Sequence, residues 1–292
     1  MHKYLRAIGF SQITSKKQEQ VLVKQSIIKA QDRKYVKLEN DIVFTEYRCE
    51  VGENIGIAIC GEFDGENIFI YSHYVPYVKG KYVSSIENVN IEKHMEKDSF
   101  AGVCDEPKLG ITMIFYLQNT ISYLDIRRKE NLEEKSTKLI LTALSVEGKI
   151  VLALQKSERD RNISNNILKK RSNLIKEARK GDEEAIERLT MKDIDTYSSI
   201  SRKIVDTDIF TLVDTYFMPY GVECDQYSIM GEILQFKLIE NKITQEKIYN
   251  MTLLCNDIAI ELCINKEDVT GEVLVGRRFK GVIWLQGEVN YI

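Results

Sequence analysis

Proline is scarce in this chain, three in 292 residues, and tryptophan occurs once. So little proline excludes proline-rich arms and stiff extended linkers. Histidine is almost as rare: His2, His73 and His94. That leaves few groups that titrate near neutral pH for acid–base work. No stretch approaches the ~18 uncharged apolar residues of a membrane helix. The longest apolar runs, such as 111–117, are strand-sized. The opening Met1-His2-Lys3-Tyr4-Leu5-Arg6 has no apolar core and no small-residue cleavage site, so a signal peptide is not expected. A large excess of one charge is also missing. The net charge of −3 excludes a protein that coats nucleic acid through overall basicity, while leaving room for a local basic patch.

The familiar catalytic signatures are absent too. There is no H-E-x-x-H, G-x-S-x-G, Walker A or G-x-G-x-x-G. The six cysteines, at 49, 60, 104, 224, 255 and 263, form no C-x-x-C and no finger spacing. They read as reduced structural thiols in a cytoplasmic protein. A Cys–His dyad would need Cys49, Cys60 or Cys104 beside His73 or His94 in space. Cys49 and Cys60 lie in apolar runs, where burial makes a thiol inert. A metal site around Glu92, His94 and Glu96 competes with a solvated segment, and the solvated reading is preferred. No cofactor and no metal are expected.

What is present is enough apolar residue to build a core. Hydrophobic residues make up 43% and charged residues 29%, which excludes bulk disorder. Residues 1–40 are mostly helical in pattern, with a helix expected over 15–31 and Ser15 as a cap. Residues 42–118 read as strands, with Asp64-Gly65 as a hairpin turn. The apolar runs 139–144 and 150–154 flank Glu147-Gly148-Lys149 and read as a second hairpin, covered on both faces. Helical cover is expected from the N-terminus and from 119–135.

At residue 156 the composition turns charged. Ile163, Ile167, Leu174 and Ala178 fall on one helical stripe, and Ile194, Tyr197, Ile200 and Ile204 on another. Gly181 and Asp182 punctuate the two helices. From 208 onward the pattern is β again, with strands expected at 209–217, 227–239, 248–254, 258–264 and 282–290. The expectation is therefore an α+β protein in three parts. Residues 1–155 form a mostly antiparallel sheet with helices, 156–205 a helical connector, and 206–292 a small β barrel or meander, OB-like in one reading.

Three segments carry a resemblance. They are the run from His2 to Phe10, the run from Asp214 to Tyr227, and the run from Gly276 to Gly287. Together they resemble a family of about this length, of unknown function, from clostridial Gram-positive bacteria. The resemblance spans the chain and implies a cytoplasmic location. It implies no activity and lends no catalytic residue.

Two constellations stand out as candidate contacts. Asp214, Tyr216, Tyr220 and Asp225 surround Pro219 and Gly221. Aromatic faces and carboxylates suit a cationic or sugar-like ligand. The bland alternative is a strand corner with half-buried tyrosines. Arg277, Arg278 and Lys280 lie between Gly276 and Gly281 and read as a cationic turn, with Trp284 following. Arginine forks suit phosphate or carboxylate, and an aromatic ring could stack on a base. The bland alternative has these arginines pairing with the chain's own Glu272 or Asp268. The expectation is a non-catalytic binding, adaptor or regulatory protein, with a protein partner or small ligand, no membrane, and self-association open through exposed strand edges. Two alternatives stand beside it: an enzyme with dispersed carboxylates, and a single-stranded nucleic-acid binder using the basic turn.

Overall fold

A computed structural model of the chain describes residues 2–38, 42–64, 68–93, 99–129, 135–153, 170–203 and 213–292, with backbone alone for 193 and 196–203. A 3-10 turn over Lys3–Ile8 opens the chain and stops at Gly9, whose φ of 86° is left-handed. Helix α1 (Lys16–Ile28) follows. Ser15 caps it: its hydroxyl accepts from the Gln18 amide while the Gln18 side chain accepts from the Ser15 amide. Residues 32–37, inside the region expected to be helical, instead form strand β1 (Asp32–Lys37). Only Val36 of β1 is buried, so the strand has almost no apolar pattern of its own. Its antiparallel pairing with β2 holds it extended.

β1, β2 (Val43–Gly52), β3 (Ile55–Phe63) and β4 (Phe69–Val78) make an antiparallel sheet in sequence order. Ile55, Ile57 and Ile59 face Ile8, Leu22 and Val23 of the N-terminal helices. Val36, Phe44 and Cys60 face Ile121 of α2 (Thr120–Lys129) on the other side. Cover on both faces explains why β3 is apolar nearly throughout. The Asp64 carboxylate accepts from the Ile68 amide at 2.8 Å at the β3–β4 connection; Gly65 lies outside the described residues.

The second sheet holds β5 (Val89–Lys93), β6 (Phe100–Glu106), β7 (Ile111–Leu117), β8 (Thr137–Val151), β9 (Tyr216–Pro219), β10 (Gln226–Glu240), β11 (Lys247–Cys255), β12 (Ile258–Asn265), β13 (Val269–Thr270) and β14 (Arg278–Tyr291). β10, β11 and β12 pair antiparallel in turn. β12 runs parallel to β8. β14 pairs antiparallel with β8 and with β10. Alternate residues of these strands, among them Leu141, Ile229, Leu253, Ile260 and Leu285, share one core. The sheets meet through two buried glutamines. Gln118 donates to the Val78 carbonyl at 3.1 Å and to Gln286 at 2.7 Å, and Gln286 donates to the Pro76 carbonyl at 2.8 Å. They satisfy backbone acceptors on the outer edge of β4.

Three expectations are corrected here. The hairpin expected around Glu147-Gly148-Lys149 is one continuous strand, β8. Gly148 does not turn the chain; it makes room for the Phe279 ring. The turn expected between Gly276 and Gly281 already belongs to β14 from Arg278 onward. Gly276 has positive φ, but Gly281 does not; a β-carbon at Gly281 would lie 2.6 Å from the Glu147 carbonyl oxygen. The strand expected at 209–217 is β9, Tyr216–Pro219, with 209–212 outside the described residues.

Of the two-helix segment, 170–179 forms α3 and Glu183–Lys203 forms α4. Gly181 at φ 90° separates them, and the Asp182 carboxylate accepts from the Ala185 amide at 3.2 Å. Ile175 and Ala185 are buried, and Lys176 pairs with Glu87 at 2.6 Å. Ile163, Ile167 and Ile204 lie outside the described residues.

Candidate functional site

β14 and the β9–β10 connection bring the two candidate constellations together. Gln226 and Trp284 are register partners, and the Leu285 amide donates to the Asp225 carbonyl at 2.9 Å. The Trp284 indole N–H donates to Asp225 Oδ2 at 2.6 Å. The indole stacks on Tyr4 at 5.3 Å between ring centroids and lies 4.8 Å from His2 and 5.6 Å from Tyr116. Trp284 is 7% exposed. Both its faces and its N–H are therefore engaged within the chain. Burial, helped by the negative charges of Asp225 and Glu223, holds the Tyr4 phenol well above its ordinary pKa.

The cationic residues have separate fates. Arg278 is 3% exposed. Its Nε and Nη2 donate to the Leu152 carbonyl at 3.1 and 2.9 Å, and Nη1 donates to the Val213 carbonyl at 2.7 Å. Arg277 donates to the Glu272 carbonyl at 2.9 Å and pairs with the Glu272 carboxylate at 3.2 Å. Lys280 is half-buried opposite Met230 and Lys149. Asp214 and Tyr216 are half-buried, and the Tyr216 hydroxyl lies 3.3 Å from Ser228 Oγ.

The outward-facing part of this corner is the end of β9 and the β9–β10 loop. Met218 is 53%, Tyr220 49% and Val222 96% exposed. Glu223 and Cys224 beside them are also exposed. The base beneath is braced. The Tyr220 amide donates to the Gln226 carbonyl at 2.9 Å, and the Tyr227 hydroxyl, accepting from the Ile114 amide at 2.8 Å, ties β10 to β7. Tyr220 and Asp225 were legible as candidates; Met218 and Val222 were not, because single apolar residues in a strand-and-turn pattern read as core. His2 and Tyr4 also join the corner, and only long-range pairing reveals that.

Other chemistry raised by the sequence is also located. His73 and Cys60 are register partners across β3 and β4. Complete burial, reinforced by Glu46, pushes the Cys60 thiol well above its ordinary value, so it stays protonated near neutral pH. His94 lies outside the described residues. Among the described residues no three His, Cys, Asp or Glu side chains are placed to hold a metal ion, and no helix is long and apolar enough to cross a membrane.

The structure defines a mixed α+β protein, mostly strands in two sheets, with a braced and partly apolar loop at one corner. The family model described as a domain of unknown function, E. rectale gene description (DUF3881), matches residues 5–287, and the chain belongs to that family. This fits the clostridial family that its three diagnostic segments resemble. No curated protein and no solved structure matches the chain.

Proposed function

We propose that the protein is a non-catalytic binding or adaptor protein whose contact surface is the β9–β10 loop. The observation that supports this is Val222, 96% exposed and flanked by exposed Met218 and Tyr220 on a hydrogen-bonded base. An apolar tip that is ordered before binding loses less conformational freedom when a partner covers it. Of the buried members of the candidate set, Trp284 holds that base through its hydrogen bond to Asp225, while Arg278 anchors the segment before β9 to Leu152.

The pairings of β10, β11, β12, β8 and β14 return to their starting strand, with β12–β8 the one parallel contact among them. This supports a small closed barrel of OB-like order in which one strand comes from far upstream. OB barrels take oligonucleotides on the face of their second and third strands, here β11 and β12. On β12 that face meets the chain itself: Glu261 accepts from the Lys81 amide at 2.9 Å, and Ser84 donates to the Ala259 carbonyl at 2.6 Å. A single-strand-binding role therefore gains no support from an open barrel face. A cytoplasmic setting is supported by six cysteines that are all free thiols.

The test is affinity capture from an extract of the native cells, comparing wild type with a Tyr220→Ala, Val222→Asp double variant. The expected result is one defined protein retained by wild type and reduced at least about tenfold in the variant, with an unchanged melting temperature. Equal retention by both, or none by wild type, overturns the assignment of this loop.

A further inference from the structure

A cavity of about 210 Å³ opens where β1 and β2 approach the end of β14. Six of its lining side chains are ionic, and most of that charge is neutralised within the wall. Lys79 pairs with Glu50, and Lys34 lies 3.8 Å from Asp32. Arg48 and Glu288 differ from these. Arg48 donates Nε to Glu46 at 2.5 Å and Nη2 to the Gln118 carbonyl at 2.7 Å. Its Nη1 has no hydrogen-bond partner among the described residues. The guanidinium lies 5.3 Å from the centre of the Tyr77 ring, and the buried Tyr77 hydroxyl has no hydrogen-bond partner among the described residues. Glu288 is half-buried on the cavity wall; it makes no hydrogen bond and no ion pair within 4 Å among the described residues, and its charge acts on the Arg48 guanidinium.

The cavity thus presents one guanidinium nitrogen and one carboxylate, neither hydrogen-bonded among the described residues, on the wall of the same small volume. A guanidinium takes a carboxylate or a phosphate. A dianionic phosphate on Arg48 would face the Glu288 carboxylate, and like charges at short range oppose it. A ligand carrying one negative and one positive group satisfies both walls. The volume lies below the 300–1,000 Å³ of sites for drug-sized molecules. We propose that this cavity binds a free α-amino acid, with the carboxylate on Arg48 and the ammonium group on Glu288. The site is separate from the β9–β10 loop and does not depend on it.

Isothermal titration of the full chain with each of the twenty common L-amino acids tests this, with inorganic phosphate as a further probe. At least one amino acid should bind. Its C-terminal amide and its N-acetyl derivative should each bind at least about tenfold more weakly, since each lacks one charged hydrogen-bonding group. Glu288→Gln should weaken the free amino acid to a similar degree and abolish the preference over the N-acetyl form. Glu288 is half-buried and makes no hydrogen bond among the described residues, so this variant should fold. Tyr220→Ala with Val222→Asp should leave the titration unchanged, which separates this site from the loop. Absence of binding by all twenty, equal binding of the amide, a Glu288→Gln titration like wild type, or binding of phosphate alone overturns the proposal.

Discussion

The ring of Phe279 on β14 lies directly over Gly148 on β8: a β-carbon at Gly148 would sit 2.2 Å from Phe279 Cε2. Phe279 is fully buried, and the same aromatic ring crowds Gly281, where β14 shifts its register against β8. Gly148 has no positive φ, so alanine is tolerable to its backbone and the cost lies in the ring alone. Gly148→Ala should destabilise by about 1–3 kcal/mol through overpacking. Combining it with Phe279→Leu should cost less than the sum of the two single changes, because the smaller side chain frees the space. Urea unfolding of the four proteins in this cycle measures the coupling. Strict additivity would mean that the close approach carries no energy.

The same pair shows how far the sequence could be read. Glu147-Gly148-Lys149 has turn chemistry, and nothing local says that an aromatic ring 131 positions later occupies the glycine's missing side chain. Strand positions in 42–118, the Ser15 cap, α2 within 119–135 and the Gly181-Asp182 break were legible, because apolar spacing and capping act locally. The partners of β8 were not, since parallel pairing with β12 and antiparallel pairing with β14 leave no mark within 137–151. The candidate site was half legible for the same reason. Asp225 and Trp284 were both named, but their 2.6 Å hydrogen bond, which holds Trp284 beneath the loop, comes from the β10–β14 register.

Arg278 joins two points that are distant in sequence, the carbonyls of Leu152 and Val213. The planar fork permits this; an ammonium group on a flexible stem does not span both. Arg278→Lys should therefore destabilise by about 3 kcal/mol, since hydrogen bonds to a charged donor contribute about 1.5–3 kcal/mol each and buried acceptors are left unmade. Arg277→Ala, which loses a partly exposed contact with Glu272, should stay within about 1 kcal/mol of wild type. Denaturant midpoints with unchanged m-values check both. Similar, small losses from the two variants would show that Arg278 is not a structural clasp.

Glu261 gives a pH dependence with a defined sign. It is 6% exposed on β12, and burial raises its pKa above the ordinary 4.5, against the lowering effect of the Lys81 amide and the Lys81 charge. The folded state therefore keeps a proton that the unfolded state has already released. Its favourable contribution is fully present below the unfolded pKa and declines as pH rises through the raised folded value. Glu261→Gln removes the buried charge and retains an oxygen to accept from the Lys81 amide. The variant should be more stable than wild type at pH 7, and the advantage should shrink as pH falls, reaching zero below about pH 4. Parallel denaturant titrations at several pH values measure the gap directly. A wild type that is the more stable at pH 7, with the difference vanishing in acid, would mean that attraction to Lys81 outweighs the loss of hydration, reversing the sign argued for this carboxylate.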